Sequence, residues 1–172
     1  LGDVYKRQAL YDALGKAEAK PVAELIGPVN KQSIRCYATG PDTNWYAELG
    51  FSAQKLTHRW TGETSIDEAV HSASKARSIM GSDAEIMFDV YMSWNSAATI
   101  QMAEALEDLN IYWFEDVLTP DDLVEIGNLR QQIKPVHMAG GEHEFTAHGF
   151  AEISRTRAYD IWQPDITWCG GI

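Results

Sequence analysis

Four carboxylates follow four hydrophobic runs at nearly constant spacing in the second half of the chain. "IMFD" ends on Asp89, "IYWFE" on Glu115, "VHMAGGE" on Glu142 and "IWQPD" on Asp165. Successive acids are 26, 27 and 23 residues apart, about the length of one strand and one helix. If the runs are parallel strands of one barrel, these acids lie side by side at its carboxyl end. Oxygen ligands without cysteines or a close histidine pair favour a hard cation, Mg²⁺ before Ca²⁺ or Zn²⁺.

Two basic residues could assist chemistry at such a site. Lys55, near the end of an earlier run, could neutralise a substrate carboxylate or act as a base. His143, beside Glu142, is a candidate for contact with substrate. A single acid after a strand is more often a helix N-cap or a solvated loop residue, and we assign Asp116 and Asp121 to that kind.

The elements that would position these residues alternate between strands and helices. The alternation, with short connections and no hairpin signals, predicts right-handed βαβ units and a parallel sheet. Two architectures fit it, a (β/α)₈ barrel and an open doubly wound sheet, and no phosphate-binding glycine motif follows any strand. The predicted strands are 33–38, 51–56, 85–89, 111–115, 136–141 and 159–163, and the main predicted helices are 9–20, 65–80, 96–110, 119–133 and 146–156.

Composition narrows the class of protein. A chain of 172 residues with 45% hydrophobic content has the usual size of one domain. The formal net charge of −11 argues against nucleic acid or an anionic membrane as partner. A bound cation would still allow an anionic small substrate. Two cysteines, Cys36 and Cys169, without metal-ligand spacing fit a reduced, cytoplasmic protein.

The motifs around the acids resemble the enolase superfamily, in its mandelate racemase-like branch. "MFDVYMSWN" supplies Asp89, "WFEDVLTPDD" supplies Glu115 and "GGEHE" supplies Glu142. The resemblance covers nearly the whole chain from residue 9, and it implies that these three residues bind one Mg²⁺ at the ends of consecutive barrel strands. The expected fold is therefore α/β, a (β/α)₈ TIM-type barrel truncated to about six strands, with a remnant of the amino-terminal capping domain.

The resemblance also divides the chain. Residues 1–8 are a possible non-native leader, 9–30 the end of the capping domain and its lead-in helix, and 31–172 an incomplete barrel without its last strands.

Within this family the motifs are most similar to those of dehydratases that act on L-rhamnonate. That similarity implies removal of the proton α to the carboxylate and loss of the C3 hydroxyl, giving a 2-keto-3-deoxy acid. Asp165 would orient an acid–base histidine that lies beyond Ile172. One lysine in Lys55-Leu56-Thr57, where many relatives have two, favours a dehydratase over a racemase. Another acid-sugar dehydratase, an epimerase and a non-catalytic relative remain open. The implied partner is a small sugar acid, with homo-oligomers when full length.

We expect the 172 residues alone to be poorly soluble and inactive, because an incomplete barrel exposes a sheet edge and apolar helix faces. Size-exclusion chromatography and an activity assay of this chain test the expectation. An active monomer would contradict it.

Overall fold

A computed structural model describes residues 2–62 and 64–169, which form a parallel sheet with helices between the strands. The strands are β1 (Ala38–Thr39), β2 (Ala53–Thr57), β3 (Glu85–Asp89), β4 (Ile111–Glu115), β5 (His137–Gly140) and β6 (Ile161–Trp162). The helices are α1 (Gly2–Glu18), α2 (Val22–Ile26), α3 (Thr43–Glu48), α4 (Ser65–Met80), α5 (Ser96–Ala105), α6 (Leu123–Gln132) and α7 (Ala147–Thr156), with a 3₁₀ turn at Glu107–Leu109. None of the helices in these ranges is long and apolar enough to cross a membrane.

The strands hydrogen-bond in chain order from β1 to β6, and every pair is parallel. An open doubly wound sheet reverses its strand order at a switch point, whereas a barrel adds each strand beside the last. The order therefore selects the barrel architecture and confirms the prediction of a TIM-type barrel with six strands.

The two faces of the sheet carry different side chains. On the outer face, Phe88 and Phe114 belong to a large hydrophobic cluster shared with the helices. On the other face, four residues form a small second cluster, Ala53, Met87, Trp113 and Ala139. Successive strand residues alternate between faces, so positions two residues after Ala53, Met87 and Trp113 share this second face. Those positions are Lys55, Asp89 and Glu115.

Strands β3 and β4 have the predicted bounds, but the peripheral strands are shorter than predicted. Strands β1 and β6 contain two residues each, where five or six were predicted. The final hydrophobic run is not fully covered, since Trp162 is 44% exposed. A hydrophobic run by itself does not show whether a neighbouring strand covers it.

Helix starts also differ from the prediction, because local side-chain contacts set them. Helix α6 begins at Leu123, after Asp122 caps it by accepting a hydrogen bond from the Glu125 amide (2.9 Å). Residue 119, where this helix was predicted to begin, lies before a turn. Helix α3, capped by Asp42, was not predicted. Helix α4 has the predicted bounds, and at its start the Thr64 hydroxyl donates a hydrogen bond to Glu68 (3.0 Å).

Phe114 is the central side chain of the outer cluster. It is fully buried and packs against Phe88 and Trp94, with ring centroids 6.3 and 5.1 Å away. Phe114→Ala should lower the free energy of unfolding by about 3–5 kcal/mol, because the lost contacts leave a cavity. Urea denaturation measures the change. Val124→Ala, at a position 57% exposed, is the control and should change it by less than about 0.5 kcal/mol. Equal effects of the two substitutions would contradict this description of the core.

Candidate metal centre

Two of the predicted metal ligands are neighbours at the carboxyl edge of the sheet. Asp89 ends β3, Glu115 ends β4, and the strand register pairs them directly. Their side chains are 14% and 1% exposed. Backbone hydrogen bonds continue past both strand ends, from the Val90 amide to the Glu115 carbonyl (3.1 Å) and from the His58 amide to the Asp89 carbonyl (2.9 Å). The fold thus holds the buried carboxylate of Glu115 beside the partly buried carboxylate of Asp89.

Lys55 compensates the charge of this pair. Its Nζ lies 2.5 Å from Glu115 Oε1 and 3.5 Å from Asp89 Oδ2. The other oxygen of Glu115, Oε2, accepts a hydrogen bond from Trp113 Nε1 (3.2 Å). Burial alone would lower the pKa of Lys55, but the hydrogen bond and charge of Glu115 raise it above the ordinary value, and Asp89 adds to this. Burial raises the pKa of Asp89, and the adjacent charge of Glu115 adds to the shift.

The third predicted ligand lies in the loop after β5. Glu142 and His143 follow Gly140 by two and three residues, and their side chains are 48% and 35% exposed. His143 Nε2 is 3.2 Å from Asp116 Oδ2 and 3.6 Å from Glu142 Oε1. Across residues 2–62 and 64–169, Asp116, Glu142 and His143 are the set of three potential ligands whose donor atoms all lie within 4.8 Å of one another. The predicted triad is therefore divided between two groups, Asp89 and Glu115 around Lys55, and Glu142 with His143.

Asp116 joins these two groups and was missed by the sequence reasoning. Its side chain is 7% exposed and not solvated as expected. Burial raises its pKa to about 6, and the charges of Glu142, Glu115 and Asp89 act in the same direction, while His143 opposes them. Its φ of +49° ends the strand alternation at this residue. The signal that could have found it was the acid pair directly after a buried run, but the sequence did not reveal the left-handed turn.

Asp165 lies apart from the other acids. It follows Trp162 by three residues, and its Oδ1 accepts hydrogen bonds from the amides of Thr167 (2.8 Å) and Trp168 (3.2 Å) and from the Thr167 hydroxyl. The hydrogen bonds from Thr167 hold the pKa of Asp165 below its usual range. Among the described residues no donor contacts Oδ2. Asp165 thus stabilises the turn after β6 and leaves one oxygen available.

The donor set suits a hard divalent cation. Asp89, Glu115 and Glu142 offer carboxylate oxygens, which Mg²⁺ prefers to sulfur and imidazole ligands. Asp89 and Glu115 are neighbours largely shielded from solvent, and Lys55 contacts both of them. One positive charge beside two carboxylates leaves a net negative site, so a divalent cation fits this position electrostatically.

The sequence of this chain matches a known family model and curated relatives. Residues 43–172 match the family model described as enolase C-terminal domain-like. A curated relative from Saccharopolyspora erythraea, named L-rhamnonate dehydratase, is 35% identical over 168 residues. That alignment covers 95% of this chain and 43% of the relative, so the chain spans less than half the length of the curated relative it matches.

Solved structures agree with the sequence relatives. A rhamnonate dehydratase from Gibberella zeae, complexed with Mg, is 36% identical and has a TM-score of 0.86 over 95% of this chain and 41% of that one. The 3,6-anhydro-D-galactonate cycloisomerase from Zobellia galactanivorans is 30% identical, with a TM-score of 0.84 over 95% and 47% of the two chains. Proteins with different named activities therefore share this architecture.

The raised pKa of Asp116 predicts a pH-dependent stability. The folded protein binds this proton more tightly than the unfolded chain, whose aspartate has a pKa near 3.8, so this group lowers the free energy of unfolding as pH rises from about 4 to 6. In metal-free protein, Asp116→Asn should remove this decrease in the free energy of unfolding. Above pH 6 the variant should therefore be more stable than wild type by roughly 2 kcal/mol.

Urea denaturation in EDTA between pH 4 and 8 measures the difference between variant and wild type. The difference should shrink towards pH 4, where Asp116 is protonated in the folded protein and partly protonated in the unfolded chain. Asp121→Asn, at an exposed position of the following loop, is the matched control and should show no such trend. A pH-independent effect of Asp116→Asn would contradict the assignment.

Proposed function

Because the chain belongs to the enolase superfamily, we propose that the whole protein is a Mg²⁺-dependent dehydratase of sugar acids, with L-rhamnonate as its substrate. The observation that carries the proposal is the adjacent pair of carboxylates at the carboxyl ends of β3 and β4, partly buried Asp89 and buried Glu115, with Glu142 in the loop after β5. Barrel enzymes build their active sites at this end of the strands. The named activity and bound Mg of the relatives support the substrate class and the ion.

Asp89, Glu115 and Glu142 would hold the ion. When bound, Mg²⁺ supplies positive charge that offsets the negative charge developing on a substrate carboxylate as the adjacent C–H bond is broken. A proton α to a carboxylate is otherwise too weakly acidic to be removed at neutral pH. The depth of the site also matters, because charge stabilisation is stronger in surroundings that exclude water.

Lys55 and His143 are the residues of this chain proposed to contact substrate. The Lys55 ammonium, on the inner face of the sheet, would neutralise the substrate carboxylate or act as a base. His143, one-third exposed in the loop beside Glu142, would hydrogen-bond a substrate hydroxyl. Asp116 contacts His143 Nε2 and thereby holds the imidazole in place from a buried position.

The reaction proposed is an elimination. A base removes the C2 proton, the electron pair of that C–H bond forms the C2–C3 double bond, and the C3–O bond breaks as the hydroxyl is protonated and leaves as water. The resulting enol tautomerises to a 2-keto-3-deoxy acid. By the family resemblance, Asp165 would orient the acid–base histidine, and its Oδ2, which accepts no hydrogen bond from the residues that the structure describes, is the atom suited to accept one from the ring.

A second candidate function is another dehydration or an epimerisation of a different sugar acid. The observation behind it is the TM-score of 0.84 with a cycloisomerase of 3,6-anhydro-D-galactonate, which shows that relatives with the same fold carry other named activities.

The substrate assignment predicts that the whole protein, supplied with Mg²⁺, converts L-rhamnonate to a 2-keto acid faster than any other acid in a sugar-acid panel. Semicarbazide derivatisation of the 2-keto product measures the rate for each acid. If the protein dehydrates a different sugar acid and does not act on L-rhamnonate, the substrate assignment is wrong and the proposed reaction stands. Release of an epimer without 2-keto acid would favour the second candidate.

The metal assignment predicts that Asp89→Asn and Glu142→Gln each lower kcat/KM at least about a hundredfold, because each removes a charged ligand from the site. Adding EDTA to wild type should have the same effect, reversed by excess Mg²⁺. Asp83→Asn is the matched control, since Asp83 is exposed at the opposite end of β3 and should leave kcat/KM unchanged. Retained turnover in both ligand variants would refute the site.

A further inference from the structure

Lys55 contacts the same carboxylate oxygens that a metal would need. Its ammonium touches both Glu115 Oε1 (2.5 Å) and Asp89 Oδ2 (3.5 Å), and its side chain is 10% exposed. The second oxygen of Glu115 is engaged by the Trp113 indole (3.2 Å). A cation that binds Glu115 must therefore share its oxygens with these two donors or displace one of them.

The two donors are not equally easy to displace. Trp113 belongs to the inner hydrophobic cluster, where its ring packs edge-on against Tyr37 with centroids 5.4 Å apart. Lys55 has a long flexible side chain, and its backbone pairs in register with Met87, two residues before Asp89 on β3. Its ammonium also lies 5.6 Å from the centre of the Tyr37 ring, which offers a second favourable environment on the same face. The lysine is thus the donor that can leave without disturbing the packing.

Electrostatics favours the same exchange. Two adjacent carboxylates that are largely shielded from solvent repel each other unless positive charge lies beside them. One ammonium supplies a single charge, whereas a divalent cation neutralises the pair. A lysine kept between them beside the ion would add like-charge repulsion.

We infer that Lys55 occupies the Asp89–Glu115 pair when the metal is absent and is exchanged for Mg²⁺ when the metal binds. The inference rests on the proposed function, because it takes Asp89 and Glu115 as metal ligands. The exchange releases the ammonium into the barrel interior, where it faces the position of an anionic substrate. Metal binding therefore has to precede the contact between Lys55 and the substrate carboxylate.

The test measures Mg²⁺ binding and not turnover. Isothermal titration of the metal-free whole protein with MgCl₂, without substrate, gives Kd for wild type and for Lys55→Met. Because the variant has no competing ammonium, its Kd should fall roughly tenfold. Its melting temperature in EDTA should fall more than its melting temperature in saturating Mg²⁺. An unchanged or higher Kd would overturn the inference.

A matched control separates this effect from the loss of any salt-bridged lysine. Lys134 pairs with Asp160 (2.9 Å) at the opposite end of the sheet. Lys134→Met should lower the melting temperature equally in EDTA and in Mg²⁺ and leave Kd unchanged. Lys55→Gln provides a second neutral variant should Lys55→Met not fold, with the same expected direction for Kd.

Wild-type protein gives an independent measurement. Reductive methylation with formaldehyde and borohydride labels accessible, unpaired amines, and mass spectrometry locates the label. Lys55 should be protected in EDTA and become reactive in MgCl₂, while Lys134 stays constant. Equal protection in both conditions would overturn the inference. Absence of any Mg²⁺ binding by wild type would refute the proposed function itself, whereas normal binding with an unchanged Lys55→Met Kd would refute this inference alone.

Discussion

The packing of like charges at the ends of β3 and β4 is the constraint on which the site depends. The register of a parallel sheet sets Asp89 beside Glu115 whatever their side chains prefer. Burial makes the pair unfavourable unless a cation is present, and Lys55 reaches it because β2 lies beside β3. The order of strands, their register and the alternation of faces are therefore all required for one ammonium to meet two carboxylates.

The core of the fold supports this site without contributing to its chemistry. Side chains on the outer face, such as Phe88 and Phe114, hold the sheet against the helices, and the inner face carries a small hydrophobic cluster together with Lys55, Asp89 and Glu115. Relatives with different named activities and TM-scores above 0.8 are consistent with this separation.

Sequence patterns predicted the central strands correctly. They failed for features that depend on contacts between residues distant in the pattern, such as helix starts and the burial of single side chains. β3 and β4 were predicted to the residue, because their hydrophobic runs end abruptly at Asp89 and Glu115. The start of α6 was misplaced, since Asp122 competes with Thr119 as a cap and only the path of the chain decides between them. The predicted strand 51–56 placed Lys55 near the same edge of the sheet as the acids, and in the structure its ammonium contacts Asp89 and Glu115. The burial of Asp116 was not predictable, because it depends on a backbone turn and on the loop that carries His143.

The backbone of Asp116 has a mechanical consequence for the site. Its amide donates to the Ala139 carbonyl on β5 (3.1 Å), and its carbonyl accepts from the Met92 amide in the loop after β3 (2.6 Å). The backbone of this single residue thus links the ends of three neighbouring strands by hydrogen bonds. Each of these strands carries or precedes one of the proposed ligands. The three loops should respond to an arriving ion as one stiff unit, so that little chain entropy is lost when the ion is captured.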